Sequence, residues 1–269
     1  MSGFSADWLR IREPADHSAR DRSLVASLLS YLGDSEHAAL LDLGCGTGSN
    51  LRALAPDLPM SQHWHLVDHN PALLDAAREE IEGWLPRAHV GELSYSLETA
   101  DLTADLDRLF SRSACDIVTA AALFDLVSED WMDEFVPHLA RQGSVFFTTL
   151  IYNGEMRWTP EHEEDETIRA AFNYHQRMDK GFGVAAGPRA GWLLAEKLKR
   201  AGYRVELRLS PWRLGLDDRQ LMLENAKGIA RAAKETGLVG EADLSSWTES
   251  RAALTSCEIG HVDLLALPG

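Results

Sequence analysis

Cysteine is scarce in this sequence. Its three copies, Cys45, Cys115 and Cys257, are widely spaced and odd in number. That excludes a disulfide framework and a zinc knuckle, and suits a reduced, cytoplasmic protein. Long apolar runs are missing too: no stretch approaches the roughly 20 residues that span a bilayer, so no membrane partner is expected. The opening MSGFSADWLRIREPAD lacks the charged-then-apolar pattern of an export signal. No Lys/Arg run forms a basic patch, since most of the basic residues stand singly among acids, and the formal net charge is −16. A surface that acidic repels a phosphate backbone, so nucleic acid is not an expected partner either. No His, Cys or Asp cluster has metal-ligand spacing. His162 with Glu163, Glu164 and Asp165 reads as a solvated helix start, and no metal is expected.

What is present is an ordinary globular composition, 45% apolar and 25% charged, on 269 residues, enough for one large α/β domain or two small ones. The first 36 residues read as a helical cap, with Leu24, Leu28 and Tyr31 at helical spacing and Gly33 as the stop. Strands and helices then alternate. ALLDLG is a buried strand, SNLRALAPDL a helix, HWHLVDHN a strand, and PALLDAAREEIEGWL a helix with Pro71 in its first turn. The pattern continues through LSYSLETADL, CDIVTAAALF and GSVFFTTLIY as strands three to five. Such alternation predicts a doubly wound, mostly parallel sheet of seven strands with an antiparallel last strand, GHVDLLALP. YRVELRLSPW is its sixth strand. Helical insertions are expected after strands five and six, over 154–187 and 215–256, decorating a single domain over 1–269.

The chemistry is concentrated in LLDLGCGTGSN, residues 40–50. A buried strand ends in Asp42, and Gly44, Gly46 and Gly48 then let the backbone turn sharply and approach a ligand. A dinucleotide fingerprint needs a glycine at position 49, which is Ser49, and a P-loop needs a following Lys, which is absent. Asp42 would oppose a pyrophosphate; it suits a ligand bearing an ammonium and a sulfonium. Cys45 inside the turn reads as a small packing residue rather than a nucleophile.

These residues resemble the class I S-adenosylmethionine-dependent methyltransferases, in their small-molecule branch, closely over about residues 38–150. The resemblance implies a cofactor site made by Asp42, Gly44, Cys45, Gly46, Gly48 and Asn50, with S-adenosylhomocysteine as product. Asp68, about 20 residues past the glycines at the end of strand two, is placed to accept both ribose hydroxyls. The resemblance makes His69 the adjacent adenosine contact, gives Asp101 and Leu102 the adenine edge, and runs Ala120 past the transfer centre. Arg20, in REPADHSARDR with Arg12 and Arg22, becomes the candidate for the methionine carboxylate; plain surface charge is the alternative. The Asn/Asp-Pro-Pro-Tyr/Phe tetrapeptide of enzymes that methylate DNA amino groups or protein glutamine is absent from strand four.

Methyl transfer from a sulfonium needs an acceptor held in line and, where required, deprotonated. Asp125, after strand four, either faces the acceptor or caps the helix before SEDW. In NYHQRMDKGFG, read as the end of one helix closed by Gly181, His175 shares a stripe with Ile168, Phe172 and Asp179, while Gln176 and Lys180 lie beside it. His175 is then a general base, a substrate partner, or a satisfied core histidine. The expected activity is methyl transfer to O or N of a small soluble metabolite. The alternatives are a non-catalytic S-adenosylmethionine-binding module and a nicotinamide oxidoreductase, and a homo-oligomer is left open.

Overall fold

The structure, a computed structural model, describes residues 5–112 and 115–269, so the first four residues of the expected helical cap lie outside it. The cap is α1 (Ala6–Ala19) and α2 (Arg22–Leu32), joined by a kink where Asp21 caps α2 by accepting from the amides of Ser23 and Leu24. The alternating body follows: β1 (His37–Leu43), α3 (Ser49–Leu54), β2 (Ser61–Asp68), α4 (Pro71–Trp84), β3 (Leu93–Thr99), α5 (Leu106–Arg112), β4 (Ile117–Ala121), α6 (Glu129–Gln142) and β5 (Val145–Thr159). Next come α7 (Asp165–His175), α8 (Ala190–Arg200), β6 (Arg204–Leu209), β7 (Trp212–Leu214), α9 (Arg219–Thr236), α10 (Glu241–Ser250) and β8 (Ser256–Leu267).

The sheet runs in the order β3-β2-β1-β4-β5-β8-β6, with β1 to β5 parallel and β8 antiparallel to its neighbours. β1 is apolar on both sides because both sides are covered: Leu41 and Leu43 join the core under α6 and α8, while Ala38 and Leu40 join the core under α2, α3 and α4. The expected sixth strand divides in two. Ser210 donates its amide to the His261 carbonyl, Pro211 has no amide to donate, and β7 then pairs with β8 as an eighth, short strand.

Two boundaries differ from the sequence reading. β5 continues seven residues beyond Tyr152, through a register shift against β8 between Tyr152 and Met156, so the first part of the 154–187 insertion is strand. There Met156 and Trp158 are buried while Glu155, Arg157 and Thr159 are exposed, the period of a strand and not of a helix. α7 stops at His175 instead of reaching Gly181. The reason is local: the Asp179 carboxylate takes the amides of Gly181 and Gly183 into a tight turn, which competes with helical pairing. α7, α9 and α10 share a third core with the outer half of β5, β7 and the start of β8, centred on Trp158, Trp212 and Trp247.

α8 packs closely on β8 through Gly191, where an added Cβ would stand 2.5 Å from Cγ2 of Val262. Gly191→Ala is therefore expected to destabilise the fold by about 1–3 kcal/mol, an overpacking cost that outweighs alanine's better helix propensity. Urea unfolding measures it; an unchanged or raised midpoint would show that Val262 moves aside freely.

Candidate active site

The carboxyl ends of β1, β2, β4 and β5 face one edge of the sheet, and the functional side chains collect there. At the end of β1 the glycine turn is left-handed three times, with φ of +65° at Gly44, +54° at Gly46 and +76° at Gly48. A Cβ at Gly46 would meet Leu9 of α1 at 3.0 Å, and one at Gly48 would meet Ile81 of α4 at 2.9 Å. Glycine is thus required at both positions by conformation and by closeness. The turn is tied to β2 by Cys45 N–H to the Val67 carbonyl and Gly46 N–H to Oδ2 of Asp68, both 2.9 Å. Oδ1 of Asp68 accepts from the Asn70 amide, also at 2.9 Å. A carboxylate has about four acceptor positions, so this pairing leaves room for further donors. His69 beside it is exposed.

Beneath the turn lies a buried chain of polar groups. Asp42 is fully buried; its Oδ1 accepts from Nδ2 of Asn50 at 2.7 Å, and its Oδ2 has no partner. Asn50 also donates to Thr119 on β4, and its Oδ1 accepts from Nη2 of Arg20 at 2.7 Å. Arg20 is 5% exposed and lies over the Phe147 ring, and its Nε and Nη1 have no partner. Burial pushes the Asp42 carboxyl up to about 7, against the opposing pull of Asn50 and Arg20. One amide therefore bridges a buried acid and a buried guanidinium, each with an unsatisfied atom. Unsatisfied buried polar atoms are costly, and a zwitterion would satisfy both. Cys45 is buried and its thiol is pushed well above its ordinary range, chiefly by burial, which makes it inert.

The other expected cofactor residues are spread along the same edge. Ala120 is buried in β4, in register with Leu43 of β1. Leu102 is buried, and its carbonyl accepts from Nε1 of Trp131 at 2.8 Å. The Asp101 carboxylate closes its own turn, accepting from the amide and hydroxyl of Thr103. α1 is fastened over α3 by Glu13 with Arg52 and by His17 with Ser49.

Beyond the expected cofactor residues, two non-glycine residues among those described are left-handed: Ala122 (φ +52°) after β4 and Leu150 (φ +61°) within β5. They are pinned, Ala122 by the Thr149 carbonyl and Leu150 by Oδ1 of Asp263, both at 2.9 Å. Strained residues of this kind concentrate at functional sites. Asp125 follows, 6% exposed, with Oδ1 lacking a partner. It does not cap α6, because Ser128 does so through the Trp131 amide. Burial pushes its carboxyl up to about 6, opposed by its own amide, Arg12, the Tyr152 amide and Lys180. His175 is half-buried and faces α9: its Nε2 meets Glu235 at 3.1 Å and its Nδ1 meets Lys180 at 3.1 Å. Both ring nitrogens are thus engaged.

Sequence reasoning missed Tyr152, His261 and Asp263, and named Arg12 and Lys180 without a role. Arg12 is held bidentate by Asp16 and lies over Trp212. His261 is buried against Trp212 with Nδ1 unpartnered, and burial lowers it to about 3, so it is neutral. Asp263 is fully buried and accepts from the Asp21 amide, the Leu150 amide and the Ser210 hydroxyl. The available signal was an acid inside the apolar run HVDLLAL, since buried carboxylates are rare without partners. Among the described residues no group of His, Cys, Asp and Glu could hold a metal ion, and no helix is long and apolar enough to cross a membrane.

Residues 40–143 match the family described as a methyltransferase domain. No curated protein matches the chain in sequence. Among solved structures, the cyclopropane synthase MmaA2 from Mycobacterium tuberculosis has the same fold, with a TM-score of 0.51 at 12% identity over 97% of this chain and 94% of that one. YjhP from E. coli aligns over 97% of this chain and 98% of that one, at 16% identity and a TM-score of 0.49. A SAM-dependent methyltransferase from Geobacter sulfurreducens, in complex with S-adenosyl-L-homocysteine, aligns over the whole of both chains at 17% identity and a TM-score of 0.47.

Proposed function

We propose that this chain, a class I S-adenosylmethionine-dependent methyltransferase, delivers the methyl group to an oxygen or nitrogen of a small soluble metabolite enclosed at the Asp125 edge of its sheet. The observation that carries the reading is the unpartnered Oδ1 of Asp125, buried beside the strained Ala122 turn. Asp125, Tyr152 and His261 are all buried, so an acceptor reaching them is enclosed rather than docked as a macromolecular chain. The net charge of −16 further disfavours nucleic acid.

The unsatisfied atoms of Arg20 and Asp42 fit the amino-acid end of the cofactor, carboxylate on the guanidinium and ammonium on Asp42. The turn from Gly44 to Gly48 gives backbone approach, Asp68 accepts ribose hydroxyls, and Leu102 offers an apolar face with the Asp101 turn beside it. His69, exposed next to Asp68, is the remaining adenosine contact. S-adenosylmethionine brings an already activated methyl group on a sulfonium. What this chain adds is position and a proton acceptor. Asp125 is poised near neutrality, mostly ionised at pH 7 and basic enough to take a proton from a hydroxyl or an ammonium.

The test uses the purified chain with isotopically labelled S-adenosylmethionine and a cell extract split by dialysis. Mass spectrometry is expected to find label in the small-molecule fraction, as a gain of one methylene unit. Label entering RNA or protein instead would sink the small-metabolite reading.

A further inference from the structure

We infer that Lys180 recognises the acceptor, and that the acceptor carries an anionic group, a carboxylate or a phosphate, which the ammonium holds beside Asp125. This rests on the placement of the acceptor at the Asp125 edge. Lys180 lies in the segment 176–187, whose backbone is fastened to the Asp125 loop by Gly187 N–H to the Asp125 carbonyl at 3.0 Å and Ala186 N–H to the Val127 carbonyl at 2.8 Å. The turn made by the Asp179 carboxylate, with Asp179 and Val184 bridged across it, fixes the backbone at Lys180. The ammonium is partly withdrawn from water, yet among the described residues no Asp or Glu oxygen lies within ion-pairing distance of its Nζ. Glu235 and Asp125 act on the ammonium only at longer range, and a cation partly desolvated without a direct ion pair is costly, so a bound anion offsets part of that cost.

Its one close partner among the described residues is the His175 ring. The ammonium stands 3.1 Å from Nδ1 and 3.4 Å from Nε2 of His175; an ammonium only donates, so the nearer nitrogen, Nδ1, accepts from it and Nε2 donates to Glu235. Glu235 thereby sets the tautomer, and His175 holds Lys180 in place; His175 is a positioning residue. Two ammonium protons remain for the acceptor. Arg12, the other cation near Asp125, is already taken by Asp16 and the Trp212 face. An anion on Lys180 leaves Asp125 to meet the acceptor's protic atom, and keeps like charges apart.

The probes are benzoate, phenyl phosphate and neutral benzamide, titrated by calorimetry into the full chain loaded with S-adenosylhomocysteine. One anion is expected to bind and benzamide is not; which anion binds decides between carboxylate and phosphate. Lys180→Met should weaken that anion by about tenfold to a hundredfold, the range of a charge-assisted hydrogen bond, and Lys180→Arg should recover most of it. Nitrogen NMR of His175 should show its Nδ1 signal move as the anion draws the ammonium away, a signature that a merely structural lysine would not give. Equal binding of the anion by Lys180→Met, equal binding of benzamide, an unmoved Nδ1 signal, or no anion binding by the loaded wild type each overturns the assignment. Failure of the underlying reading is seen separately: the wild type would not take up S-adenosylhomocysteine before any anion is added, or label would enter macromolecules in the extract experiment.

Discussion

Asp42→Asn is expected to weaken S-adenosylhomocysteine binding by about tenfold to a hundredfold, the scale of a lost hydrogen bond to a charged group. The backbone should be unaffected, because an asparagine oxygen can still accept from Nδ2 of Asn50 and Gly44 to Gly48 keep their conformation. What is lost is the negative charge opposite the ligand's ammonium. The pH dependence carries the sharper test. In the free chain burial raises Asp42 to about 7, and a bound ammonium stabilises the ionised form. Binding then requires release of the proton at lower pH, so affinity should be flat above about pH 8 and fall toward tenfold per unit below about pH 6. In Asp42→Asn that dependence should disappear. Calorimetry in buffers of different ionisation enthalpy counts the proton directly. A wild type that binds equally at pH 5.5 and 8, allowing for Asp125, would remove Asp42 from the ammonium site.

Asp125→Asn is expected to act in opposite directions on rate and stability. Turnover on the acceptor should fall by about 10²–10⁴, the usual contribution of a general base. Stability above pH 7 should rise, because an uncharged isostere replaces a buried carboxylate. Raising the carboxyl from 3.8 to about 6 corresponds to roughly 3 kcal/mol of penalty at neutral pH. The sign follows from linkage. The folded chain holds this proton more tightly than the unfolded one, so stability falls as pH rises from about 4 through 6, and the penalty is absent below about 4. Chemical unfolding at pH 4.5 and 8 should show that slope in the wild type and its loss in the variant. A variant that is slower but no more stable at pH 8 would mean that Asp125 is already neutral or already paired. A variant of unchanged turnover would take it out of the chemistry.

What could be read from the sequence was whatever is dictated locally. Gly44, Gly46 and Gly48 are legible because a left-handed turn after a buried strand demands glycine whatever the rest of the chain does. Strands β1 and β4 are legible because a strand covered on both sides is apolar along most of its length. The outer half of β5 was hidden, since GEMRWT alternates over few residues and its polar members resemble the helical segment that follows. Gly181 reads as a helix cap from the sequence, but the Asp179 carboxylate ends the helical pairing before it. His175 illustrates the limit most clearly. A helical stripe gives the side a residue faces but not its neighbour, and here the neighbour is Glu235, 60 residues away. The pairing of Arg20 with Asn50 depends on a contact across 30 residues, beyond any pattern within α1.

Asp263 has a consequence for how the chain becomes competent during synthesis. Its carboxylate fastens the amides of Asp21 and Leu150 and the hydroxyl of Ser210, which precede it by 242, 113 and 53 residues. Every residue of the glycine motif leaves the ribosome long before this acid does. The setting of Arg20, one residue from Asp21, is completed only when β8 is inserted between β5 and β6. On the proposed cofactor reading, ligand binding would be gained only once β8 is in place, and a nascent polypeptide stalled before β8 would carry the whole motif without the setting of Arg20.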